Sequence, residues 1–381
     1  MKNAAFYMDK ALELAAQALF ISSPNPRVGC VLVAPDGAIL GQGFTQQAGG
    51  PHAEVMALRD ASAQRNNVHG ATAYVTLEPC AHQGRTGPCC DALATAGITK
   101  VVAALTDPNP LVTGAGFARL RAAGVEVEIG LAAEQARELN IGFFSRMIRG
   151  TPWVRMKAAS SLDGVTALQN GSSQWITSAQ ARADGHKWRA RACTVLTGIG
   201  TVLHDNPSLN VREVPTIRQP RIAIVDSQLQ TPPSAHVLKA PSGCLIYTVS
   251  KDIQKINVLQ ALGATIIEVA NASGKVDLSK MLRDLADRGT NELHVEAGFK
   301  LNGSLIREQL VDELLLYMAP KLLGTGGLGI ANWGPLEELG QALPLTIQSV
   351  QNVGPDLRLV ARVQGRDNFH QQPDRFIEAS R

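Results

Sequence analysis

The sequence has little aromatic content, few cysteines and no long apolar run, and each shortage excludes a class of protein. Only 4% of the 381 residues are aromatic. Six are cysteine, which is too few for a scaffold held together by disulfides. No segment reaches the roughly 18 consecutive apolar residues of a membrane helix, so we expect a soluble protein without a membrane partner. Residues 1–20 carry charged side chains inside their apolar pattern and lack the layout of a signal peptide, which predicts a cytoplasmic protein.

The sequence also has little excess of positive over negative charge. The 36 Lys and Arg residues nearly balance the 33 Asp and Glu residues, and the net charge is +3. This balance lacks the basic excess typical of proteins that bind a nucleic-acid backbone, so we expect no nucleic-acid partner. A local pocket for a small phosphorylated molecule remains compatible with it. The content of 45% hydrophobic and 18% charged residues is that of a globular chain, and its length predicts about two to three domains.

Strand and helix patterns alternate along the chain, which is typical of α/β domains with a mostly parallel sheet covered on both faces. The first series contains a hairpin turn at Pro35-Asp36-Gly37 and ends in one long helical pattern, Ala132–Met147. The breakers Gly150 and Pro152 follow it, and a second series of seven strands ends near Met318. We therefore predict α/β domains at residues 1–148 and 149–365 and a weakly ordered polar tail at 366–381.

Three residue types that bind zinc come together in the first half. His52 stands at a predicted helix start, Cys80 follows a predicted strand, and Cys89 begins the next helical stretch. One imidazole and two thiolates suit a catalytic zinc, which leaves a fourth position for water. Glu54 is two residues past His52, roughly 200° further round a helix, so we expect it to project away from the metal and to move protons. Such a glutamate belongs to the zinc-deaminase signature H-x-E…P-C-x-x-C.

The spacing departs from that signature. Eight residues separate Cys80 from Cys89, and Cys90 follows at once, so the third ligand is open on spacing alone. Two other readings are a closed structural zinc site with His82 as its fourth ligand, and a redox-active cysteine pair. A closed site leaves Glu54 without a role, which favours the catalytic reading.

Three segments together resemble the deaminase half of the bifunctional deaminase/reductase family of riboflavin biosynthesis. They are Pro24–Gly29, His52–Glu54 and Glu78–Cys89. The resemblance implies a cytidine-deaminase-like three-layer domain in which the longer loop between the cysteines is normal and Cys89, not Cys90, is the ligand. The family usually has Ser at Ala81 and Pro at Gly87.

The same resemblance implies substrate contacts from three polar residues. His82 and Arg85 lie in the loop between the two cysteines and suit a phosphate group. Asn25 stands between two prolines and could bond to a pyrimidine edge or a ribose. From the residues alone, each is equally well read as a surface or turn residue.

Two glycine-containing segments of the second half could bind a dinucleotide. Gly324–Gly329 formally matches G-x-G-x-x-G, but no usable helix follows, so we interpret it as a loop. Glu296–Ser304 is a better candidate because it follows an apolar strand and runs into a helical pattern. Glycine there permits close approach of a diphosphate, and Ser304 adds a hydroxyl donor.

Further motifs resemble the reductase half of the same family, which is similar to dihydrofolate reductase in fold. They are Lys157–Gly164, Ser173–Ser178, Arg189, Gly200–Leu203, Asp205–Pro207, Leu209 and Arg212, so that the resemblance extends over about residues 1–365. Val165 stands where the family has Arg. The resemblance implies that an NADPH site is lined by Ala159, Trp175, Thr201, Asp205, Ser227, Gly298, Phe299, Lys300, Leu301, Asn302, Gly303 and Ser304. It implies that substrate is held by Ser173, Arg189, Leu209, Arg212 and Glu296.

Taken together, the resemblance implies two successive reactions on one phosphorylated pyrimidine. The first half would remove an amino group with one zinc ion, and the second would reduce the ribosyl group with NADPH. We also expect a homo-oligomer. The alternatives are a tRNA or nucleoside deaminase with an accessory domain, and a zinc-stabilised binding module without turnover.

Overall fold

The computed structural model describes residues 3–81, 87–110 and 112–370, and it divides the chain into two compact units between Gly150 and Thr151. The division falls in the run of breaker residues that separates the two alternating series. Both units combine helices with a sheet, which confirms the α/β class. Among the described residues, no helix is both long enough and apolar enough to span a membrane.

The first unit contains one sheet, whose described strands stand in the order β2-β1-β3-β4-β5. Its strands are β1 (Gly29–Val33), β2 (Ile39–Phe44), β3 (Thr72–Val75), β4 (Lys100–Ala103) and β5 (Glu126–Ile129). Its helices are α1 (Ala4–Gln17), α2 (Ala53–Ala63), α3 (Cys89–Thr95), α4 (Ala115–Ala122), α5 (Ala133–Leu139) and α6 (Ile141–Arg149). The sheet is parallel only from β3 to β5, because β1 runs antiparallel to both β2 and β3.

Helices α1 and α2 cover opposite faces of this sheet, and small residues let them come close. A Cβ atom on Gly29 of β1 would lie 1.8 Å from the carbonyl oxygen of Ala11 in α1. A Cβ on Gly43 of β2 would lie 2.4 Å from the backbone nitrogen of Ala57 in α2. Strands β2 and β3 both run antiparallel to β1, so their carboxyl ends meet at one edge, where α2 begins.

The long helix expected at Ala132–Met147 is two helices that meet at Asn140. The side chain of Asn140 is buried and accepts a hydrogen bond from the Arg27 backbone nitrogen at 2.7 Å. It also donates to the Arg27 carbonyl oxygen at 2.8 Å. Asparagine here bonds to a distant backbone segment, and the helix breaks at this residue.

The second unit contains a larger sheet, with described strands in the order β10-β9-β8-β7-β11-β6-β12-β14-β13. Its strands are β6 (Trp153–Ser161), β7 (Thr194–Gly198), β8 (Arg221–Val225), β9 (Cys244–Thr248), β10 (Ala264–Glu268), β11 (Glu292–Val295), β12 (Glu313–Ala319), β13 (Leu345–Val353) and β14 (Asp356–Val363). Its helices are α7 (Ala179–Arg191), α8 (Ile199–Asp205), α9 (Ile253–Ala261), α10 (Leu278–Asp287) and α11 (Phe299–Arg307), besides short 3₁₀ turns at His236–Lys239, Leu339–Gln341 and Asn368–His370.

The seven strands from β10 to β12 are parallel, and β14 and β13 add an antiparallel hairpin that the seven-strand prediction missed. Edge strand β13 is mostly exposed, so its apolar pattern is weak. Apolar clusters cover the parallel part, one of them built on Met281 and Leu285 of α10. All seven parallel strands end at one edge, and the loops after β6, β7, β8 and β11 therefore lie side by side.

The first residues of the expected tail are part of the second unit. Arg366 Nε donates to Asp312 Oδ1 at 2.7 Å. The Phe369 ring contacts the buried Trp153 ring edge-on, with centroids 6.3 Å apart. The fold of this unit therefore continues past Gly365 through residue 370, and residues 371–381 lie outside the described part of the chain.

Candidate active sites

His52, Cys80 and Cys89 place three metal-binding atoms together at the carboxyl edge of the first sheet. His52 is the N-cap of α2, Cys80 lies beyond the end of β3, and Cys89 is the first residue of α3. The Nδ1 atom of His52 is 3.6 Å from Cys80 Sγ and 3.4 Å from Cys89 Sγ. Zinc bonds of about 2.3 Å to sulfur and about 2.0 Å to nitrogen, at tetrahedral angles, place such atoms about 3.6 Å apart. The three side chains therefore fit a zinc ion.

The geometry separates Cys89 from Cys90. Within the described residues, His52, Cys80 and Cys89 are the group whose ligand atoms lie within 4.8 Å of one another. The Cys90 sulfur is 3.5 Å from Asp91 Oδ1 instead. The closed-site reading depended on His82, which lies outside the described residues.

The two thiols of the site differ in acidity. Hydrogen bonds from Cys89 and His52 lower the pKa of Cys80 to about 4, although burial opposes this. The same thiol pairing and burial raise the pKa of Cys89. Cys80 is therefore the thiol that is already deprotonated at neutral pH. Cys89 would lose its proton when a divalent cation binds.

Glu54 lies beside these ligands. The prediction that it projects away from them is wrong. His52 is an N-cap residue with extended backbone angles, φ −77° and ψ 168°, so the rotation of 100° per helical residue does not apply between the two. Glu54 is 3% exposed and interacts with the Cys89 thiol. Burial raises the pKa of Glu54 to about 7, and the Cys80 charge adds to the effect. A carboxyl group that titrates near neutrality can both take up and release a proton.

Glu78 is a positioning residue that sequence reasoning missed. Its buried carboxylate accepts four backbone hydrogen bonds, between 2.9 and 3.3 Å long, and so joins the segment that carries Cys80 to the loop before α4 and to the first turn of that helix. The donors are the nitrogens of Asp107, Gly114, Gly116 and Phe117. An acidic residue immediately before Pro79-Cys80 was the available signal, and the sequence left it without a role.

The expected substrate residues of the first unit are only partly described. The Asn25 backbone nitrogen donates to the Ser22 carbonyl oxygen at 2.9 Å, as in a turn. His82 and Arg85 lie outside the described residues. At one end of that segment the Ala81 carbonyl oxygen accepts from Arg119 Nη1 at 2.8 Å. At the other end Gly87 has open space where a side chain would stand.

In the second unit, Arg189 and Glu296 form the central ion pair of the carboxyl edge. Arg189 comes from α7 and Glu296 follows β11. Two guanidinium nitrogens bind the carboxylate, at 2.7 and 3.0 Å, and Nη1 donates to the Asn210 carbonyl oxygen at 2.6 Å. Although burial opposes it, the charges of Arg189 and Lys157 hold the pKa of Glu296 well below its usual range. Arg189 thus uses its nitrogens within the protein, whereas the Arg212 side chain is 58% exposed.

Lys157 and His186 belong to the same charged group, and the sequence assigned neither of them a role. Burial lowers the pKa of Lys157, which lies on β6 near Glu296 and Arg189. Burial, with the charges of Arg189 and Arg212, lowers the pKa of His186 to about 4. A lysine inside a largely buried strand was the available signal for the first, and nothing in the local pattern pointed to the second.

The expected cofactor residues follow neighbouring strands of the sheet. Strands β8, β7, β11 and β6 are adjacent, and Ser227, Thr201, Gly298 and Ala159 lie at or near their carboxyl ends. Gly298 is the N-cap of α11, and a Cβ there would have Thr201 Oγ1 as its nearest neighbour, at 3.7 Å. The carboxyl ends of neighbouring parallel strands are where α/β proteins typically bind nucleotides.

Residues 298–304 face in two directions. Asn302 is buried, and its Nδ2 donates to the Ile330 carbonyl oxygen at 3.0 Å. A Cβ on Gly303 would lie 2.2 Å from the Asn332 carbonyl oxygen. Asn302 and Gly303 therefore pack against the loop at 330–332, and the open side of the segment is at Gly298. Phe299, Lys300, Leu301 and Ser304 complete the first turns of α11.

The other expected contact residues of the second unit lie in its loops and at a helix end. Trp175 is 65% exposed, with the Arg182 guanidinium 4.3 Å from its ring centroid. Ser173 precedes it in the same loop, and Asp205 is the exposed last residue of α8. Leu209 is buried and has a left-handed backbone, with φ 51°.

The segment Gly324–Gly329 is a loop, as its sequence context indicated, and it packs against Val165. A Cβ on Gly327 would lie 2.5 Å from Val165 Cγ1. The Leu328 nitrogen donates to the Ala167 carbonyl oxygen at 2.8 Å. Val165 therefore fills the space beneath this loop.

Two family models match the chain, one in each unit. Residues 1–105 match the cytidine and deoxycytidylate deaminase zinc-binding region, and residues 152–359 match the RibD C-terminal domain. The second match leaves the alternative of a nucleoside deaminase with an accessory domain without support. The predicted fold class is confirmed for both halves.

Whole-chain relatives cover both units together. The riboflavin biosynthesis protein RibD of Escherichia coli is 42% identical over 366 residues, covering 93% of this chain and 98% of that protein. RibD of Aquifex aeolicus is 41% identical, with 92% and 96% covered. Acinetobacter baumannii RibD has a similar structure, with a TM-score of 0.87 and 41% identity over 94% of this chain and 98% of that one. A diaminohydroxyphosphoribosylaminopyrimidine deaminase/5-amino-6-(5-phosphoribosylamino)uracil reductase from Thermotoga maritima has a TM-score of 0.82 and 31% identity, with the same coverage.

Proposed function

This chain belongs to the RibD family, the bifunctional deaminases and reductases of riboflavin biosynthesis, and from that premise we propose its substrates and the roles of its residues. The first unit removes the 2-amino group of 2,5-diamino-6-(5-phosphoribosylamino)pyrimidin-4-one. The second reduces the ribosyl group of the product, 5-amino-6-(5-phosphoribosylamino)uracil, to ribityl.

The observation that carries the deaminase proposal is the grouping of three zinc-binding atoms beside a buried carboxyl group that is not one of them. His52, Cys80 and Cys89 would hold a zinc ion, which would make the attacking water a stronger acid. Glu54 takes a proton from the attacking water and delivers a proton to the departing nitrogen. The water oxygen becomes the 2-oxo group, and the amino group leaves as ammonia. Asn25, His82 and Arg85 hold the pyrimidine and its phosphate.

The reductase proposal is supported by the four adjacent strand ends at the carboxyl edge of the second sheet. NADPH, when bound, supplies a hydride, and with one proton this converts ribosyl to ribityl. Ala159, Thr201, Ser227 and Gly298 would line the cofactor site from four adjacent strands, and it would be extended by Trp175, Asp205, Phe299, Lys300, Leu301 and Ser304. Asn302 and Gly303 would support it through their contacts with the loop at 330–332. A diphosphate would meet the free backbone nitrogens at the start of α11 beside Gly298.

Substrate in the second unit meets the charged group around Glu296. The Glu296 carboxylate suits sugar hydroxyls, and the exposed Arg212 guanidinium suits the phosphate. Arg189 holds the carboxylate and the loop of Asn210 in place, so we assign it a positioning role in addition to its expected contact. Ser173 and Leu209 complete the substrate site.

The decisive experiment supplies purified full-length protein with the diaminopyrimidine phosphate and NADPH and follows ammonia and NADPH together. We expect one ammonia and one NADPH oxidised per substrate. Glu54→Gln should retain zinc and lose deamination by about 10²- to 10⁴-fold, while it still reduces added deaminated product. Full ammonia release by this variant would contradict the role of Glu54, and ammonia without NADPH oxidation would contradict the reductase assignment.

Two further points stay predictions. We propose that the deaminase domain is residues 1–148 and that the reductase domain begins at 149 and runs past the predicted end at 365 through residue 370, which separate expression of the two halves tests. We also propose that the chain self-associates, which its molar mass in solution tests.

A further inference from the structure

Side chains hold the loop that carries Arg212. Asn210, Val211 and Arg212 lie between α8 and β8, and within the described part of the chain their backbone groups bond to side chains rather than to a strand. Arg189 donates to the Asn210 carbonyl oxygen at 2.6 Å. His186 Nδ1 accepts from the Arg212 nitrogen at 3.3 Å.

A third side chain fixes the residue between them. Gln219 Oε1 accepts from the Val211 nitrogen at 2.8 Å, and Gln219 Nε2 donates to the Val211 carbonyl oxygen at 2.9 Å. We call His186, Arg189 and Gln219 together the loop clamp. It fixes three consecutive residues, while the Arg212 side chain is 58% exposed. Its guanidinium forms a 3.8 Å ion pair with Glu213 and donates to Asn210 Oδ1 at 3.2 Å.

We propose that His186 is a positioning residue, which through the Arg212 backbone nitrogen fixes the place from which the Arg212 guanidinium meets the substrate phosphate. His186 is 4% exposed and projects from α7, the helix that also carries Arg189. A buried histidine that accepts a single backbone N–H keeps that donor satisfied without adding a charge beside two arginines. This inference rests on the proposed contact between Arg212 and the phosphate.

The electrostatic surroundings fit an uncharged ring. The charged groups around His186 are Arg189 on its own helix, Arg212 on the loop, Glu296 after β11 and Lys157 on β6. Burial and the two arginines lower the pKa of His186 to about 4, so at neutral pH Nδ1 is available as an acceptor. Arg212 can therefore keep its place over the pH range in which the enzyme is assayed.

The test compares His186→Phe with His186→Asn in the full-length protein, with the phosphorylated reductase substrate and its dephosphorylated form. Asparagine places an acceptor oxygen near the position of Nδ1, and phenylalanine fills the space without one. We expect His186→Phe to raise KM for the phosphorylated substrate about five- to tenfold, with kcat within about twofold and no change for the dephosphorylated substrate. His186→Asn should stay within about twofold of the parent protein.

Further variants keep the outcome interpretable. Gln219→Leu removes a different arm of the loop clamp and should reproduce the phosphate-specific rise in KM if His186→Phe folds poorly. Unchanged turnover of the dephosphorylated substrate reports an intact second unit in every variant. Arg212→Ala tests the underlying contact, because it should raise KM for the phosphorylated substrate alone. If Arg212→Ala raises KM for the phosphorylated substrate and neither clamp variant does, the positioning role is wrong. It is also wrong if the clamp variants raise KM equally for the phosphorylated and dephosphorylated substrates. If Arg212→Ala changes neither KM, the phosphate contact of the proposed function is wrong.

Discussion

Arg189 binds both oxygens of the Glu296 carboxylate, with Nε 2.7 Å from Oε1 and Nη2 3.0 Å from Oε2. The two side chains are only 12% and 14% exposed. Each therefore neutralises a charge that the surrounding protein would not tolerate alone. Because Arg189 also holds Asn210, this one residue connects Glu296 with the loop of Arg212.

Removing Arg189 should harm folding before it harms chemistry. We expect Arg189→Met to destabilise the second unit by about 3 to 5 kcal/mol at pH 7, because it leaves a buried carboxylate without its partner. The double variant Arg189→Met with Glu296→Met should recover most of that loss. Denaturant unfolding followed by tryptophan fluorescence measures it selectively, since all four tryptophans lie beyond residue 150. Equal losses in the single and double variants would contradict the ion-pair explanation.

The same variant should have a characteristic pH dependence. In the parent protein the pKa of Glu296 is depressed, so the pair stabilises the fold above the ordinary glutamate pKa and this contribution is lost only in acid. Without Arg189, the largest of the charges that oppose burial is lost, so the pKa of Glu296 should rise from its depressed value although Lys157 remains. The stability difference between parent and variant should therefore shrink as the pH falls through the pKa that Glu296 has in the variant. A constant difference would show that Glu296 is not its source.

The zinc group could be predicted because its residue types are diagnostic and its short motifs follow strand and helix ends. What the sequence could not decide was Cys89 against Cys90, since neighbouring residues at a helix start differ only in the direction of their side chains. The prediction of the Glu54 orientation was wrong for a different reason. His52 is extended rather than helical, and a helical angle could not be carried across it.

The reductase site was harder to predict because its contacts join distant parts of the chain. Arg189 and Glu296 are 107 residues apart, and His186 and Arg212 are 26 apart. No local sequence pattern predicts such contacts, so no role was predicted for His186, Lys157 or Gln219. Edge strand β13 was missed because an exposed edge strand lacks the apolar alternation that marks a buried one. Strand β14 pairs with β12 and is largely buried, and it was missed together with its hairpin partner.

The choice between the two adjacent cysteines can be tested directly. We expect Cys89→Ser to weaken zinc binding at least about 100-fold, because it removes one of three protein ligands. Cys90→Ser should keep zinc, since the Cys90 sulfur faces Asp91. Competition with a chelator followed by metal analysis measures both, and unchanged reduction of added product controls for folding of the second unit. Loss of zinc from Cys90→Ser with retention in Cys89→Ser would reverse the assignment.

Glu78 should control the rigidity of the loop that supports Cys80. Each carboxylate oxygen accepts two backbone N–H groups, so Glu78→Gln leaves two of the four donors facing an amide nitrogen. Two unsatisfied buried donors should destabilise the loop by about 2 to 4 kcal/mol. Hydrogen exchange in peptides covering residues 107–117 should then become at least about 30-fold faster. Glu128→Gln, on an exposed strand, is the matched control and should leave this exchange unchanged.

Substitution by alanine should affect cofactor binding at Gly298 and stability at Gly303. Gly298 has an ordinary φ of −85°, and a new Cβ would make only an ordinary van der Waals contact with Thr201 Oγ1 at 3.7 Å, so Gly298→Ala should fold normally. Its methyl group would stand where a diphosphate approaches α11, and we expect KM for NADPH to rise about tenfold. At Gly303 a Cβ would lie 2.2 Å from the Asn332 carbonyl oxygen, so Gly303→Ala must displace the loop at 330–332. That overpacking should lower the melting temperature of the second unit by about 5 °C, although alanine normally favours a helix. An unchanged KM for NADPH in Gly298→Ala would place the cofactor elsewhere, because no other effect of that methyl group could compensate for a blocked diphosphate.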